Sequence, residues 1–187
     1  MVSIVSLWLP ILVSATLVFV ASSIIHMMLT YHRSDFSAVP DEGSVMSELA
    51  KFKIPPGEYA MPYAGSPKAM GTPEYITRVK AGPVAFITIM PNGIPSINAS
   101  LIQWFLYIVV VNIFSAYIAG RALPADAPYL EVFRFIGCTA FMGYSLALWQ
   151  NSIWYKRAWS VTIKSTFDGL VYASLTAGTF GWLWQGI

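Results

Sequence analysis

Apolar and polar residues are segregated along this chain into long blocks. From Val2 to Tyr31 no Asp, Glu, Lys or Arg interrupts the sequence, a run longer than the roughly 20 residues an α-helix needs to cross a bilayer's hydrocarbon core. A first span is expected at about residues 7–30. Pro10 falls in its first turn, where the amide that proline lacks has no intrahelical partner. Ala21-Ser22-Ser23 offers the small residues of a leader cleavage site, but no positive charge precedes the apolar core, so the run is expected to stay as a span. A second span is expected at about 98–120, ended by Gly120, Arg121 and Pro124, and a third, long or tilted, at about 128–154. The fourth reads as about 166–184, with Ser165 and Asp168 in capping-box spacing, Asp replacing the usual Glu or Gln.

The polar block lies between the first two spans, at about 31–96, and holds six basic and six acidic residues and most of the prolines. Pro40 to Phe52 predicts a short amphipathic helix with Val45, Leu49 and Phe52 on one face, broken by Ile54-Pro55-Pro56-Gly57. Thr72-Pro73-Glu74 opens a second helix that should end near Gly82-Pro83. Val84 to Met90 is either a strand or an interfacial segment, and Pro91-Asn92-Gly93 a turn. The expected architecture is an all-α membrane protein: one membrane domain over residues 1–187, four transmembrane helices in a bundle, and an extramembrane subdomain (31–96) inserted between helices 1 and 2.

Composition agrees with a lipid environment. Of 187 residues 56% are hydrophobic and 11% charged, and the mean hydropathy is +0.60, more apolar surface than a water-soluble fold can hide. Cys138 is the single cysteine, so neither a disulfide framework nor a thiolate cluster is possible. The 11 basic residues are scattered among 9 acidic ones, which leaves no basic face for nucleic acid. His32 and Arg33 follow the first span, while Lys156, Arg157 and Lys164 precede the fourth. Basic flanks favour the cytoplasm, so both termini are expected in the periplasm and the 31–96 loop in the cytoplasm.

Candidate chemistry is sparse. His26 is the only imidazole within an expected span, and an ionisable group at membrane depth is costly without a role. Its sharp reading is a haem or pigment ligand. Its bland reading is a neutral histidine hydrogen-bonded near the headgroups. The only other histidine, His32, would lie roughly 240° further round a continuing helix, too far to pair with it. Glu131 and Arg134, with Arg121, form a polar cluster that reads as a structural ion pair or as the entrance to a solute path past Asn112, Ser115 and Thr139. Asp168 is expected to cap its helix. Trp149, Trp154, Tyr155, Arg157 and Trp159 crowd one membrane boundary, and Trp182 and Trp184 the other. Such residues anchor a protein at the interface or contact a lipid headgroup, quinone or pigment.

Gly169, Ala173, Ala177 and Gly181 place small residues along one face of the fourth span, and Ala116 and Gly120 do so on the second. They serve close helix packing, within one bundle or between two copies. No G-x-S-x-G elbow, phosphate loop, dinucleotide fingerprint or His-Glu-x-x-His helix is present, and two histidines with one cysteine build no conventional zinc site unless carboxylates fill in, so no catalytic residue and no metal site are expected.

The stretches Tyr31-His32-Arg33-Ser34-Asp35, Pro55-Pro56-Gly57-Glu58-Tyr59, Asn151-Ser152-Ile153-Trp154-Tyr155 and Phe167-Asp168-Gly169-Leu170 together resemble a family of uncharacterised bacterial four-helix inner-membrane proteins with no established activity. The resemblance implies a bacterial inner-membrane location and supplies no catalytic residue. The expected function is a non-catalytic accessory or structural subunit that packs against a larger respiratory or photosynthetic membrane complex. The expected partners are therefore the bilayer and other membrane subunits. A small transporter or channel, and a haem- or pigment-binding protein acting through His26, are the alternatives.

Overall fold

A computed structural model of the chain describes residues 1–184. It is mostly helical, and the chain divides into two compact units: Met1–Phe36 together with the chain from Ser96 on, and Ser37–Pro95. In chain order the elements are α1 (Trp8–Met27), α2 (Glu42–Lys51), β1 (Gly57–Met61), α3 (Pro73–Ala81), β2 (Ala85–Ile89), α4 (Ile97–Ala122), α5 (Tyr129–Ser145), α6 (Trp149–Trp154) and α7 (Trp159–Leu183).

Three helical stretches are long and apolar enough to cross a membrane: Ile4–Met27, Ile97–Ala122 and Tyr129–Trp154. α1 is led in by a 3-10 turn whose Ser3 Oγ accepts from the Val5 amide at 3.3 Å. The Ser96 hydroxyl caps α4 by accepting from the Ala99 amide. The third stretch is not one regular helix: α5 gives way at Ser145 to a 3-10 turn, Leu146–Leu148, before α6 resumes. α7 is 25 residues long, about 37 Å at 1.5 Å per residue, but it carries Lys164 and Asp168 in its first half.

α1 packs against α4 and α7, and α5 packs against the same two helices. Contacts between opposite ends show that neighbours run antiparallel. The Val2 amide donates to the Gly120 carbonyl at 2.7 Å, and at the other end of the same pair Trp104 Nε1 donates to Ser22 Oγ at 2.8 Å. Between α5 and α7, a Cβ built on Gly181 would meet the Tyr129 ring at 2.7 Å, and one on Gly169 would meet Ser145 Oγ at 2.0 Å. Between α4 and α5, a Cβ on Gly143 would meet Val111 at 3.0 Å. Hydrocarbon offers helices little gain from burying apolar groups together, so such close approaches supply dispersion contact that bulkier residues would block.

Midway along α4, fully buried Asn112 ties the four long helices together. Its Nδ2 donates to Ser14 Oγ at 2.8 Å and to the Ile11 carbonyl at 3.2 Å on α1. Its Oδ1 accepts from Tyr144 of α5 and Thr176 of α7, each at 3.4 Å.

The unit Ser37–Pro95 corrects the all-α expectation, because it contains an antiparallel pair. β1 and β2 are in register from Gly57↔Ile89 to Met61↔Ala85, and Thr88 Oγ1 donates to the Glu58 carboxylate across the pair. β2 takes the strand option that Val84 to Met90 left open. β1 was obscured by the two prolines before it and the glycine that opens it. α3 begins at Pro73 with Thr72 Oγ1 accepting from the Tyr75 amide and ends at Gly82, whose φ of +65° suits glycine.

α7 differs from expectation at its start. It begins at Trp159 rather than near residue 166, so Asp168 lies in its third turn and caps nothing. A charge-based boundary moved inward here because Lys164 and Asp168 find partners that keep them in the helix.

Candidate functional site

The densest polar cluster of the first unit forms where α1 ends. After Met27 the apolar run gives out, the Leu29 amide turns back to the Ile24 carbonyl, and Tyr31–Ser34 forms a 3-10 turn. This reversal returns His32 to the helix it has just left. Its ring lies 4.5 Å from that of His26, tilted by 35°. The 240° separation expected for one continuous helix does not apply, because the helix stops before His32.

α7 supplies the other wall. Asp168 is only 2% exposed. One of its oxygens accepts from the Tyr31 hydroxyl and the other lies 2.8 Å from His32 Nε2. His32 Nδ1 lies 2.7 Å from Asp35 Oδ2, so a carboxylate faces each nitrogen of the ring. One turn before Asp168, Lys164 uses its three protons fully, donating to the Tyr31 carbonyl at 2.6 Å, Ser34 Oγ at 2.8 Å and Asp35 Oδ1 at 2.8 Å. Deeper along α7, the Tyr172 hydroxyl lies 3.4 Å from His26 Nε2. Ligand atoms of His26, His32 and Asp168 all fall within 4.8 Å of one another.

Electrostatics follow from this geometry. Burial pushes the Asp35 carboxyl up, but hydrogen bonds from Lys164 and His32 outweigh it and hold the group below its ordinary range. Tyr31 is pushed well above the usual phenol value, first by burial, then by its bond to the Asp168 carboxylate and that group's charge. It therefore stays a donor at neutral pH.

The remaining candidates are dispersed. Arg121, Glu131 and Arg134 are exposed, and among the described residues no ion pair joins them. Trp154, Tyr155, Arg157 and Trp182 lie exposed, while Trp149 stacks edge-on against Trp159 and donates to Thr166 Oγ1. Trp184 is not exposed at a boundary: it is fully buried and donates to the Pro124 carbonyl at 3.0 Å. Ala173, Ala177 and Ala116 are buried, with Ala177 against Gly137. In the second unit a cleft of about 350 Å³ opens among Met61, Pro62, Tyr63, Met70 and Tyr75.

Sequence reasoning found His26 but missed His32, Asp35 and Lys164 as its companions. The available signal was the i,i+4 pair Lys164/Asp168 opening an apolar helix, matched by His32/Asp35 closing another. No family model, curated protein or solved structure matches the chain, so the site's chemistry is read from its own residues.

Proposed function

We propose that this chain is a non-catalytic, four-span membrane subunit that docks on a larger membrane assembly through residues 37–95. The carrying observation is the surface of that unit: Pro62 is its only buried residue, while Met46, Leu49, Phe52, Tyr63, Met70 and Met90 are exposed. A folded unit that leaves its large apolar side chains in water is poorly stabilised alone and gains by covering them with a partner. The apolar-lined cleft beside Tyr63 and Met70 is a seat for a partner's side chain.

In this reading α7 is the fourth span. Its length suffices, and its two charges are neutralised at one end by Lys164–Asp35 and by the bonds to Asp168, which removes much of the cost of bringing them to the bilayer boundary. Basic residues around that boundary favour a cytoplasmic location for it in a bacterial inner membrane, with the termini on the periplasmic side.

A solute path draws less support. Asn112, its deepest polar element, has its amide engaged on both sides, and Glu131 and Arg134 face outward. Haem draws less support too: axial imidazoles stand on opposite faces of a macrocycle, whereas the His26 and His32 rings are 4.5 Å apart with nothing able to pass between.

Extraction from native membranes in mild detergent tests the reading. The wild-type chain is expected in a stoichiometric complex, and Leu49→Glu with Phe52→Glu should release it while leaving it membrane-inserted. Recovery of the wild type as a lone monomer contradicts the proposal.

A further inference from the structure

We propose that His26, His32 and Asp168 form a binding site for one divalent transition-metal ion of the zinc class. Two imidazoles and one carboxylate are the donor set that zinc and its first-row neighbours accept, with a fourth position left for water. The three residues come from the last turn of α1, the 3-10 turn after it and the third turn of α7, and their ligand atoms lie within 4.8 Å of one another. Ligand atoms placed 2.0–2.2 Å from a tetrahedral ion are about 3.4 Å apart. The His32–Asp168 pair at 2.8 Å must open slightly and the widest pair must close, movements within reach of side-chain rotation.

The surroundings are those of a metal site more than of a simple hydrogen-bonded pin. Asp35 holds Nδ1 of His32 at 2.7 Å, the carboxylate–histidine arrangement that fixes the tautomer and turns Nε2 toward an ion. Tyr31 occupies one oxygen of Asp168 and leaves the other facing His32. Lys164, the cation that could compete, is committed to Asp35, Ser34 and the Tyr31 carbonyl and makes no ion pair with Asp168. Asp35, Asp168 and Lys164 leave the cluster with one more formal negative charge than positive before His32 is counted, which suits a cation.

His26 separates the two roles. A pin between the end of α1 and α7 needs Tyr31, His32, Asp35, Lys164 and Asp168, but not an exposed second imidazole whose one hydrogen-bonding contact among the described residues is a 3.4 Å approach to Tyr172. A metal ion needs it as the third protein ligand.

The test uses the full-length chain, purified without a histidine tag, stripped with chelator in detergent and titrated with Zn(II) against a chromophoric competitor and with Co(II) by visible absorption. One ion per chain is expected, with Co(II) ligand-field bands. His26→Ala and Asp168→Asn should each weaken Zn(II) binding by about a hundredfold or more, and Asp35→Asn by about 10–100-fold. Because His26 has so little structural work, His26→Ala should keep the wild-type helix content and elution position. If Asp168→Asn fails to fold, wild-type stoichiometry and His26→Ala still decide. Wild-type protein that takes up no stoichiometric Zn(II) or Co(II), or a His26→Ala protein that binds Zn(II) as tightly as wild type, overturns the proposal and leaves the cluster as a pin.

Discussion

Replacing Gly169 by alanine probes how closely α7 approaches α5. The new Cβ would stand 2.0 Å from Ser145 Oγ, 3.2 Å from Tyr144 Cβ and 3.3 Å from Ser145 Cβ. The hydroxyl can rotate away by giving up its 3.4 Å bond to the Thr166 carbonyl, but the two Cβ atoms are fixed to the α5 backbone, so the helices must part by a few tenths of an ångström. Overpacking of this kind costs about 1–3 kcal/mol. Alanine's better helix propensity returns up to about 1 kcal/mol, which would blur a comparison with wild type. Gly178 provides the control, since a Cβ there meets only Tyr129 Oη at 3.6 Å, an ordinary contact. The propensity gain is common to both substitutions, so Gly169→Ala should be less stable than Gly178→Ala by about 1–3 kcal/mol. Equilibrium unfolding in mixed micelles with rising SDS fraction, followed by circular dichroism, measures the difference. Two variants that unfold within about 0.5 kcal/mol of each other would refute the close α5–α7 approach.

Other consequences are as direct. Asn112→Leu removes two firm bonds to α1 and should lower stability in the same assay by about 1–3 kcal/mol; an unchanged midpoint would mean that the buried amide holds nothing. Because the Asp35 carboxyl is held below its ordinary value, its stabilisation is complete above the unfolded value, about pH 3.9, and is lost as the pH falls through the lower folded value. Thermal melts of metal-free protein should therefore show a loss on acidification that Asp35→Asn reduces, and identical acid profiles would count against the Lys164–Asp35–His32 network. Trp104→Phe removes the donor to Ser22 Oγ that joins α1 to α4 and should cost about 0.6–1.7 kcal/mol by SDS unfolding; a gain in stability would contradict that bond.

The apolar helices were legible because a bilayer permits few alternatives: charge-free runs such as Val2 to Tyr31 must satisfy their backbone internally. α4 lies within two residues of its expected limits for the same reason. The start of α7 was not legible, since Lys164 and Asp168 look like the end of hydrocarbon until Asp35, His32 and Tyr31, more than 120 positions away, are seen to meet them. The site was half legible. His26 stood out by its depth, but helical periodicity was carried past Met27, where the helix had already ended, and so His32 was placed on the wrong side. Trp184 shows the same limit in reverse: an aromatic that reads as an interface anchor is claimed by a long-range bond to Pro124.

α7 is proposed to cross the bilayer together with the three more apolar stretches. Reporters active on only one side of the membrane, fused in turn to each end of the full chain and read in intact cells and in inverted vesicles, test it most directly. Four crossings place both ends on the same face, the periplasmic one if Lys156, Arg157 and Lys164 orient the chain. Ends found on opposite faces would mean three crossings and would contradict the account.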